Sequence, residues 1–280
     1  MSTIAFVIHP ERPEAADLAS RATEWLADRG HDVVLTEGDE ECIDTTADPQ
    51  LDGADLAVSL GGDGTMLRTV NLAWAPGVPV LGVNLGHLGY LTEVEPSGLE
   101  VALEKFLSGD YSLEERMMLD VSWRSPTQGP VGRCLALNEA VLEKTVPGHT
   151  IRLAASIGGR PFVTYAADGL IVATATGSTA YNLSVRGPIL SPGLKAVIVT
   201  PISPHMLFDR PLVLDPSESL ELTVAGPRPG VLVVDGRTVA TLDAGDVMSC
   251  AASERAVRLV TFGPRDFHAI LRARFHLSDR

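Results

Sequence analysis

The chain is short of lysine and of cysteine, and each shortage excludes something. Lysine occurs three times in 280 residues, at Lys105, Lys144 and Lys195, and the formal net charge is −14. Non-specific binding to DNA or RNA draws its affinity from neutralised phosphates, so no nucleic-acid partner is expected. An anionic small ligand is compatible with this balance, because a few local N–H groups and arginines suffice to hold it. The three cysteines, Cys42, Cys134 and Cys250, are odd in number and far apart, which fits neither a disulfide framework nor a CxxC metal knuckle. They read as reduced thiols, with Cys134 in the core. No apolar run approaches the roughly 20 residues of a membrane span. Residues Met1 to Pro10 lack a basic start followed by an apolar segment and a small-residue cleavage site, so the expected location is cytoplasmic. Two nucleotide-binding signatures are missing as well. No GxxxxGK is followed by Ser or Thr, and no GxGxxG occurs, although Gly82, Gly86 and Gly89 imitate the latter loosely.

What remains is an ordinary globular composition, 45% hydrophobic and 21% charged, in a chain long enough to divide into two lobes. The first part alternates strand and helix signals. Ile4 to Ile8 reads as a strand stopped by His9-Pro10, and Ala15 to Arg29 as a helix with Leu18, Ala22, Trp25 and Leu26 on one face and Gly30 as its C-cap. Val33 to Leu35, Ala54 to Leu60 and Val78 to Val83 read as further strands. A capping-box pattern, Ser97 with Glu100, precedes a helix closed by Gly109. Such alternation predicts a parallel sheet covered on both faces, with ligands at the carboxyl ends of its strands.

After about Tyr111 strand follows strand: Leu119 to Trp123, Cys134 to Val141, Ile151 to Ile157, Phe162 to Ala166, Leu170 to Ala173, Ala196 to Thr200, Leu220 to Ala225, Val231 to Val234 and Val257 to Phe262. Gly158-Gly159 and Asp235-Gly236 read as hairpin turns. Residues 266–275 return to helical spacing. The expectation is an α/β plus β chain with three parts. These are a Rossmann-like parallel-sheet domain over 1–112, a β-rich, sandwich-like domain over 113–262, and a C-terminal segment over 263–280 packing back on the first domain. Pro126 to Pro130 is the expected exposed loop.

Four motifs carry chemistry. Gly61, Gly62, Asp63, Gly64 and Thr65 lie between a buried strand and a helix expected to open on Thr65. Glycines there accept positive φ and let a ligand approach bare N–H groups, and a helix N-terminus adds partial positive charge, which suits phosphate. Asp63 is the odd member, since a carboxylate repels phosphate unless it holds a metal or takes a proton. The plainer alternative is a tight turn with an Asp cap. The hydroxyl-rich string Thr176 to Ser184 follows a strand, and Tyr181 in it could stack on a ring, or the string could simply cap a helix. Asn138 and Glu139 interrupt an apolar strand, so one of them faces inward and needs a partner in protein or ligand. Asp168, before Gly169, either caps a turn or accepts a sugar hydroxyl. His87 and His205 read equally as loop residues or ligand contacts.

In this order and spacing these motifs resemble the NAD kinase family, and the resemblance covers nearly the whole chain. Gly82-Val83-Asn84-Leu85-Gly86-His87-Leu88-Gly89 and Pro204-His205 before Arg210-Pro211-Leu212 are similar to family members too. The glycine motif is shared with diacylglycerol-type lipid kinases. The Thr-Gly-Ser-Thr-Ala-Tyr string is far more specific. The resemblance implies transfer of the terminal phosphoryl group of ATP, or of polyphosphate, to the 2′-hydroxyl of the adenosine ribose of NAD. A divalent metal, Mg²⁺, would be the cofactor, and a homodimer or homotetramer the assembly. Carried over, it makes Asp63 the general base and Gly61, Gly62, Gly64 and Thr65 the phosphate loop. Gly64 and Arg68 would line the same end of the dinucleotide, Asn138 and Glu139 would meet hydroxyl and adenine groups, and Asp168 would hold the nicotinamide portion. Thr179, Ala180, Tyr181, Asn182, Leu183 and Ser184 would wrap the ligand, with His149, Ala166 and Arg237 contributing. The chain departs from the pattern at His9-Pro10, where relatives usually have Asn-Pro, and at Thr174-Ala175-Thr176-Gly177, where many have Thr-Pro-Thr-Gly. It departs again at Ala166, where some carry a basic side chain, which bears on NAD against NADH preference. A lipid kinase would need a basic or apolar membrane-facing surface, and a non-catalytic nucleotide-binding regulator would have no use for Asp63.

Overall fold

The computed structural model describes residues 1–36, 51–74, 76–86, 89–127 and 129–277. Cys42, His87 and Leu88 lie outside them. The described residues form two compact units, one of residues 1–36, 51–115 and 257–277 and one of residues 116–256.

The first unit opens with β1 (Thr3–Ile8), α1 (Pro13–Ala27), β2 (Asp32–Thr36), β3 (Leu56–Gly61), α2 (Asp63–Ala73), β4 (Val80–Asn84) and α3 (Leu99–Ser108). The four strands are parallel in the order β2, β1, β3, β4. Every residue of β3 and β4 is buried, the signature of strands covered on both faces. Ile4, Phe6, Val58, Leu60, Leu81 and Val83 meet α1 and α3 in one core. The chain leaves β1 toward β2 on one side and β3 toward β4 on the other. The order therefore reverses between β1 and β3, the place where open α/β sheets leave a crevice at their carboxyl ends.

Three local expectations change. Helix α2 starts at Asp63, not Thr65. A carboxylate in the first turn suits the helix dipole, so the helix takes in the residue read as part of the loop. The Ser97 and Glu100 pattern makes no side-chain cap; a 3₁₀ turn, Pro96–Gly98, leads into α3 instead. Helix α1 ends at Ala27, short of the expected Arg29, and Gly30 closes it with a left-handed backbone, φ 76°, its N–H donating to the Ala27 carbonyl at 3.0 Å. Gly109 does close α3 with a left-handed backbone, φ 80°.

The second unit is built of antiparallel strands: β5 (Ser112–Ser125), β6 (Gly129–Ala136), β7 (Glu139–Lys144), β8 (Ile151–Ile157), β9 (Arg160–Ala167) and β10 (Gly169–Thr174). A 3₁₀ turn (Thr176–Thr179) and the short helix α4 (Tyr181–Ser184) follow. Then come β11 (Val197–Ile202), β12 (Leu212–Leu214), β13 (Leu220–Val224), β14 (Gly230–Val234), β15 (Arg237–Leu242) and β16 (Val247–Thr261). One sheet runs β12, β11, β10, β7, β14, β15. Opposite it, β9, β8, β13 and the first half of β16 pair in turn, and β5 pairs with β16 and β6. Leu142, Val172, Val199 and Leu232 from one sheet pack on Leu119, Leu153, Leu222 and Met248 from the other, which makes a sandwich. Cys134 and Cys250 are buried in this core and neither is in a disulfide, and burial pushes the Cys250 thiol well above its ordinary range.

The expected strand Cys134 to Val141 is in fact two. Strand β6 belongs to one sheet and β7 to the other, and the chain turns a corner at Leu137 and Asn138. Both hairpin turns have the expected left-handed pairs, Gly158 (φ 56°) with Gly159 (φ 73°) and Asp235 (φ 46°) with Gly236 (φ 80°). Residues 126 and 127 are exposed, as expected of the loop there. The last residues of β16 rejoin the first unit, where Leu259 pairs with Val80 of β4. Helix α5 (Phe267–Arg274), capped by Asp266 accepting from the Ala269 N–H at 2.9 Å, ends the described chain.

Candidate functional site

Two clusters of the anticipated residues form, one in each unit. In the first unit the carboxyl end of β3 delivers Gly61, and α2 begins two residues later. Among Gly61, Gly62 and Gly64 no φ is positive, so the conformational reason given for them does not apply. Thr65 is buried with its side chain against Gly61, so its hydroxyl does not point to solvent. Gly62 and Gly64 are different: a Cβ at either would meet no protein atom within 4 Å.

Asp63 does not cap its own helix. Its two carboxylate oxygens accept the backbone N–H groups of Leu91 and Tyr90, each at 3.2 Å. Gly89 also lies against the Asp63 carboxylate, since a Cβ there would strike it. The plain Asp-cap alternative is thereby replaced. The carboxylate is held by a second loop, at the carboxyl ends of the strands and beside a helix N-terminus. Arg68 lies one helical turn beyond Gly64 on the same face of α2. At the same end of the sheet a cleft of ≈ 790 Å³ is lined by Arg12, Arg21, Asn84 and Glu95. His9 is occupied locally, its Nδ1 accepting from the Glu11 N–H at 3.2 Å.

In the second unit the corner between β6 and β7 is the centre. Asn138 is half-buried and Glu139 is 7% exposed. The Thr174 hydroxyl donates to the Leu137 carbonyl at 2.6 Å and accepts the Gly177 N–H at 3.0 Å, tying the corner to the turn that follows β10. Gly177 is required by close approach, because a Cβ would collide with the Asn138 carbonyl. The Tyr181 backbone N–H in turn donates to the Glu139 carboxyl. Asn138, Glu139 and the 176–184 segment are therefore one constellation. Burial, and then the neighbouring Asp235 carboxylate, push Glu139 up to about 8.

Asp168 joins this constellation through charge. Its Oδ1 is 2.6 Å from Lys144 Nζ, and its charge, with that of Glu143, adds to burial in raising the Tyr181 phenol. Ala166 gives its carbonyl to the His205 N–H at 2.7 Å, which brings His205 beside the strand leading to Asp168. Thr179, Ala180, Leu183 and Ser184 lie on the turn around Tyr181, which is 39% exposed. Asn182 has another use. It is fully buried, its amide donates to the Ser178 and Pro188 carbonyls, and its oxygen accepts from Thr200 at 2.6 Å, so it holds the turn rather than facing a ligand. Arg237 starts β15 and acts on Asp235. His149 is exposed in the connection between β7 and β8, and no hydrogen bond or ion pair among the described residues links it to the others.

Three residues of the site escape sequence reasoning. Thr174 reads only as part of a motif, Lys144 only as a scarce lysine, and Asp235 only as a turn residue. For the last a signal exists, since a left-handed Asp usually has its carboxylate engaged with nearby backbone.

Comparison with known proteins covers both units. The family model described as ATP-NAD kinase N-terminal domain matches residues 4–111, and that described as ATP-NAD kinase C-terminal domain matches residues 137–262. An NAD kinase of Heliobacterium modesticaldum is 43% identical over 278 residues, covering 97% of this chain and 98% of the relative. One of Syntrophotalea carbinolica is 38% identical over 289 residues, covering 100% of each. Among solved structures, an NAD kinase from Archaeoglobus fulgidus in complex with ATP superposes with a TM-score of 0.76 at 26% identity, covering 100% of both chains. Yeast NADH kinase complexed with NADH shares the fold, with a TM-score of 0.88 at 23% identity over 100% of this chain and 89% of that one.

Proposed function

The chain belongs to the NAD kinase family, a family of phosphotransferases, and from that premise we propose that it moves the terminal phosphoryl group of ATP or polyphosphate to the 2′-hydroxyl of the adenosine ribose of NAD. The observation that carries the reading is the Asp63 carboxylate, fastened by two backbone N–H groups at the carboxyl end of a parallel sheet and flanked by a glycine with open space around it. Phosphoryl transfer asks a protein chiefly for positioning and for charge stabilisation, so one oriented carboxylate to take the hydroxyl proton is a sufficient base. Both family domains match, which disfavours a lipid kinase, and the intact Asp63 disfavours a mere nucleotide binder.

In this reading Asn138, Glu139, Asp168 and the exposed ring of Tyr181 hold the dinucleotide, and Lys144 keeps the Asp168 carboxylate in place. Gly62 and Gly64 leave backbone bare for phosphate, and the cleft beside Arg12 and Arg21 offers room for the donor. No cluster of three or more His, Cys, Asp or Glu exists among the described residues. The donor set therefore suits an ion such as Mg²⁺ that arrives on the triphosphate and takes few protein ligands. When bound it would neutralise phosphate charge. Homo-oligomerisation is part of the reading too, supported by exposed apolar side chains on the second unit, Ile189, Leu194, Leu207 and Val213. Among the described residues no helix is long and apolar enough to cross a membrane. The test is incubation of the purified protein with NAD, Mg²⁺ and either ATP or polyphosphate, reading NADP with a coupled dehydrogenase. No NADP with either donor would overturn the reading.

A further inference from the structure

Asp235 occupies a place that the hairpin-turn reading does not explain. It sits at the tip between β14 and β15 with φ 46°, half-buried as a residue, and its carboxylate turns inward. One oxygen accepts the Leu137 N–H at 2.8 Å, and the other accepts the Asn138 and Glu139 N–H groups at 2.8 and 3.0 Å. The Asp235 N–H also donates to the Glu139 carbonyl at 3.0 Å. Three consecutive backbone donors, 96 to 98 residues away in sequence, thus converge on one side chain. A corner between two sheets loses its ladder partners, and buried N–H groups must find others. Asp235 supplies them.

The arrangement brings the Asp235 carboxylate to the backbone N–H of Glu139, whose own carboxyl is buried and is acted on by the Asp235 charge. The Glu139 carboxyl is acted on by the Asp235 charge from the β14–β15 turn, with Arg237 acting on Asp235 in its turn, and by the Tyr181 backbone N–H from α4. Arg237 favours charge on Asp235, as do the three N–H donors. Glu139 has one carboxyl oxygen, Oε2, that is buried and accepts no hydrogen bond among the described residues. Like charges this close do not both ionise readily, and the member with more donors keeps the negative charge.

Building on the proposed activity, we infer that Asp235 is a positioning residue of the dinucleotide site: it clamps the Leu137 to Glu139 corner and, as a charged neighbour added to burial, sets the Glu139 carboxyl as a hydrogen-bond donor to an acceptor atom of bound NAD. The direction of the Glu139 shift, to about 8, agrees, and so does the smaller rise of Asp235 to about 6.

The experiment is calorimetric titration of NAD, without a phosphoryl donor, into the full-length protein between pH 6 and pH 9. Wild type should bind well at neutral pH and lose affinity along a limb near pH 8, as Glu139 ionises. Asp235→Asn should move that limb down by about one pH unit, the size of effect a close charge exerts, and weaken NAD at pH 9 by roughly tenfold. With kcat at saturating NAD and the KM for ATP both within about threefold of wild type, the loss would lie in dinucleotide binding. Glu139→Gln, which donates at every pH, should remove the limb, and the double variant should show none either. If the amide of Asp235→Asn prevents folding, Asp235→Ser keeps one acceptor oxygen and no charge. A limb that stays in place in the Asp235 variants, even with a lowered melting temperature, reduces Asp235 to a structural clamp and overturns the inference. A limb that persists in Glu139→Gln overturns it without any Asp235 variant. Failure of wild type to make NADP would instead defeat the proposed activity, and NAD binding is measured apart from it.

Discussion

Asp63 is held by contacts that a neutral amide reproduces only in part. Asparagine at this position keeps one oxygen to accept an N–H from the 90–91 loop and turns its amide nitrogen toward the other, so the loop loosens but the helix start survives. Removing a general base costs about 10² to 10⁴ in rate. Asp63→Asn is therefore expected to lower kcat by that order while NAD affinity by calorimetry stays within about twofold. Parallel loss of binding and melting temperature would make Asp63 a structural loop anchor. Glu139 makes a second prediction, through stability. Its carboxyl goes from an ordinary 4.5 to about 8 in the folded chain. The folded state thus holds its proton more tightly than the unfolded state does. That contribution is complete below pH 4.5 and is lost as pH rises toward 8. Asp235 acts in the same sense up to about 6. Glu139→Gln removes the larger contribution, so its melting temperature should gain on wild type by roughly a few degrees between pH 5 and pH 8. A difference that does not change with pH would mean that Glu139 is ionised at neutral pH. The sequence shows that a carboxylate stands at 139 and needs a partner. It does not show the partner, because Asp235 reaches it only through the pairing of β7 with β14.

Among the elements, those ruled by local chemistry are legible in the sequence and those ruled by sheet assembly are not. The parallel strands, α3 with its Gly109 stop and both left-handed hairpins follow from periodicity and turn residues. The corner at 137–138 does not, since an apolar run looks alike whether it continues in one sheet or crosses to a second. The short strand β12 escapes notice, its three residues giving too few positions for a pattern. Glycines are legible as a group, but their reasons are not. Gly177 is structural: a methyl group there meets the Asn138 carbonyl, so Gly177→Ala should cost about 1–3 kcal/mol in urea denaturation and weaken NAD along with it. Gly64 is the opposite case. It lies in the first turn of α2 without a positive φ, and an added methyl group would have nothing within 4 Å of it, so Gly64→Ala should leave stability unchanged or raise it by up to about 1 kcal/mol. Any rise in the KM for NAD or ATP in that variant then reports a ligand that needs bare backbone. Unchanged kinetics would remove Gly64 from the binding loop.

For the molecule as a whole, composition speaks against nucleic acid and membrane spans and suggests two lobes, but gives no account of its surface. An acidic chain repels copies of itself at long range, so association must come from apolar contact at short range. The second unit has candidates for it. Leu207 is fully exposed, and Val213, on the edge strand β12, is 55% exposed. An edge strand with an outward valine leaves unpaired backbone groups beside apolar surface, a combination that solitary proteins usually blunt with charge. If a second copy covers this region, wild type will sediment as a dimer or tetramer of the 29.7 kDa chain. Leu207→Asp combined with Val213→Asp should then shift it toward the monomer, because each aspartate would desolvate a charge in the contact and add to a net charge already at −14. Salt screens the added repulsion but does not remove the desolvation cost, so raising ionic strength should restore association only in part. A wild type that sediments as a monomer at micromolar concentration, or a double variant that associates as wild type does, would rule this surface out as the contact.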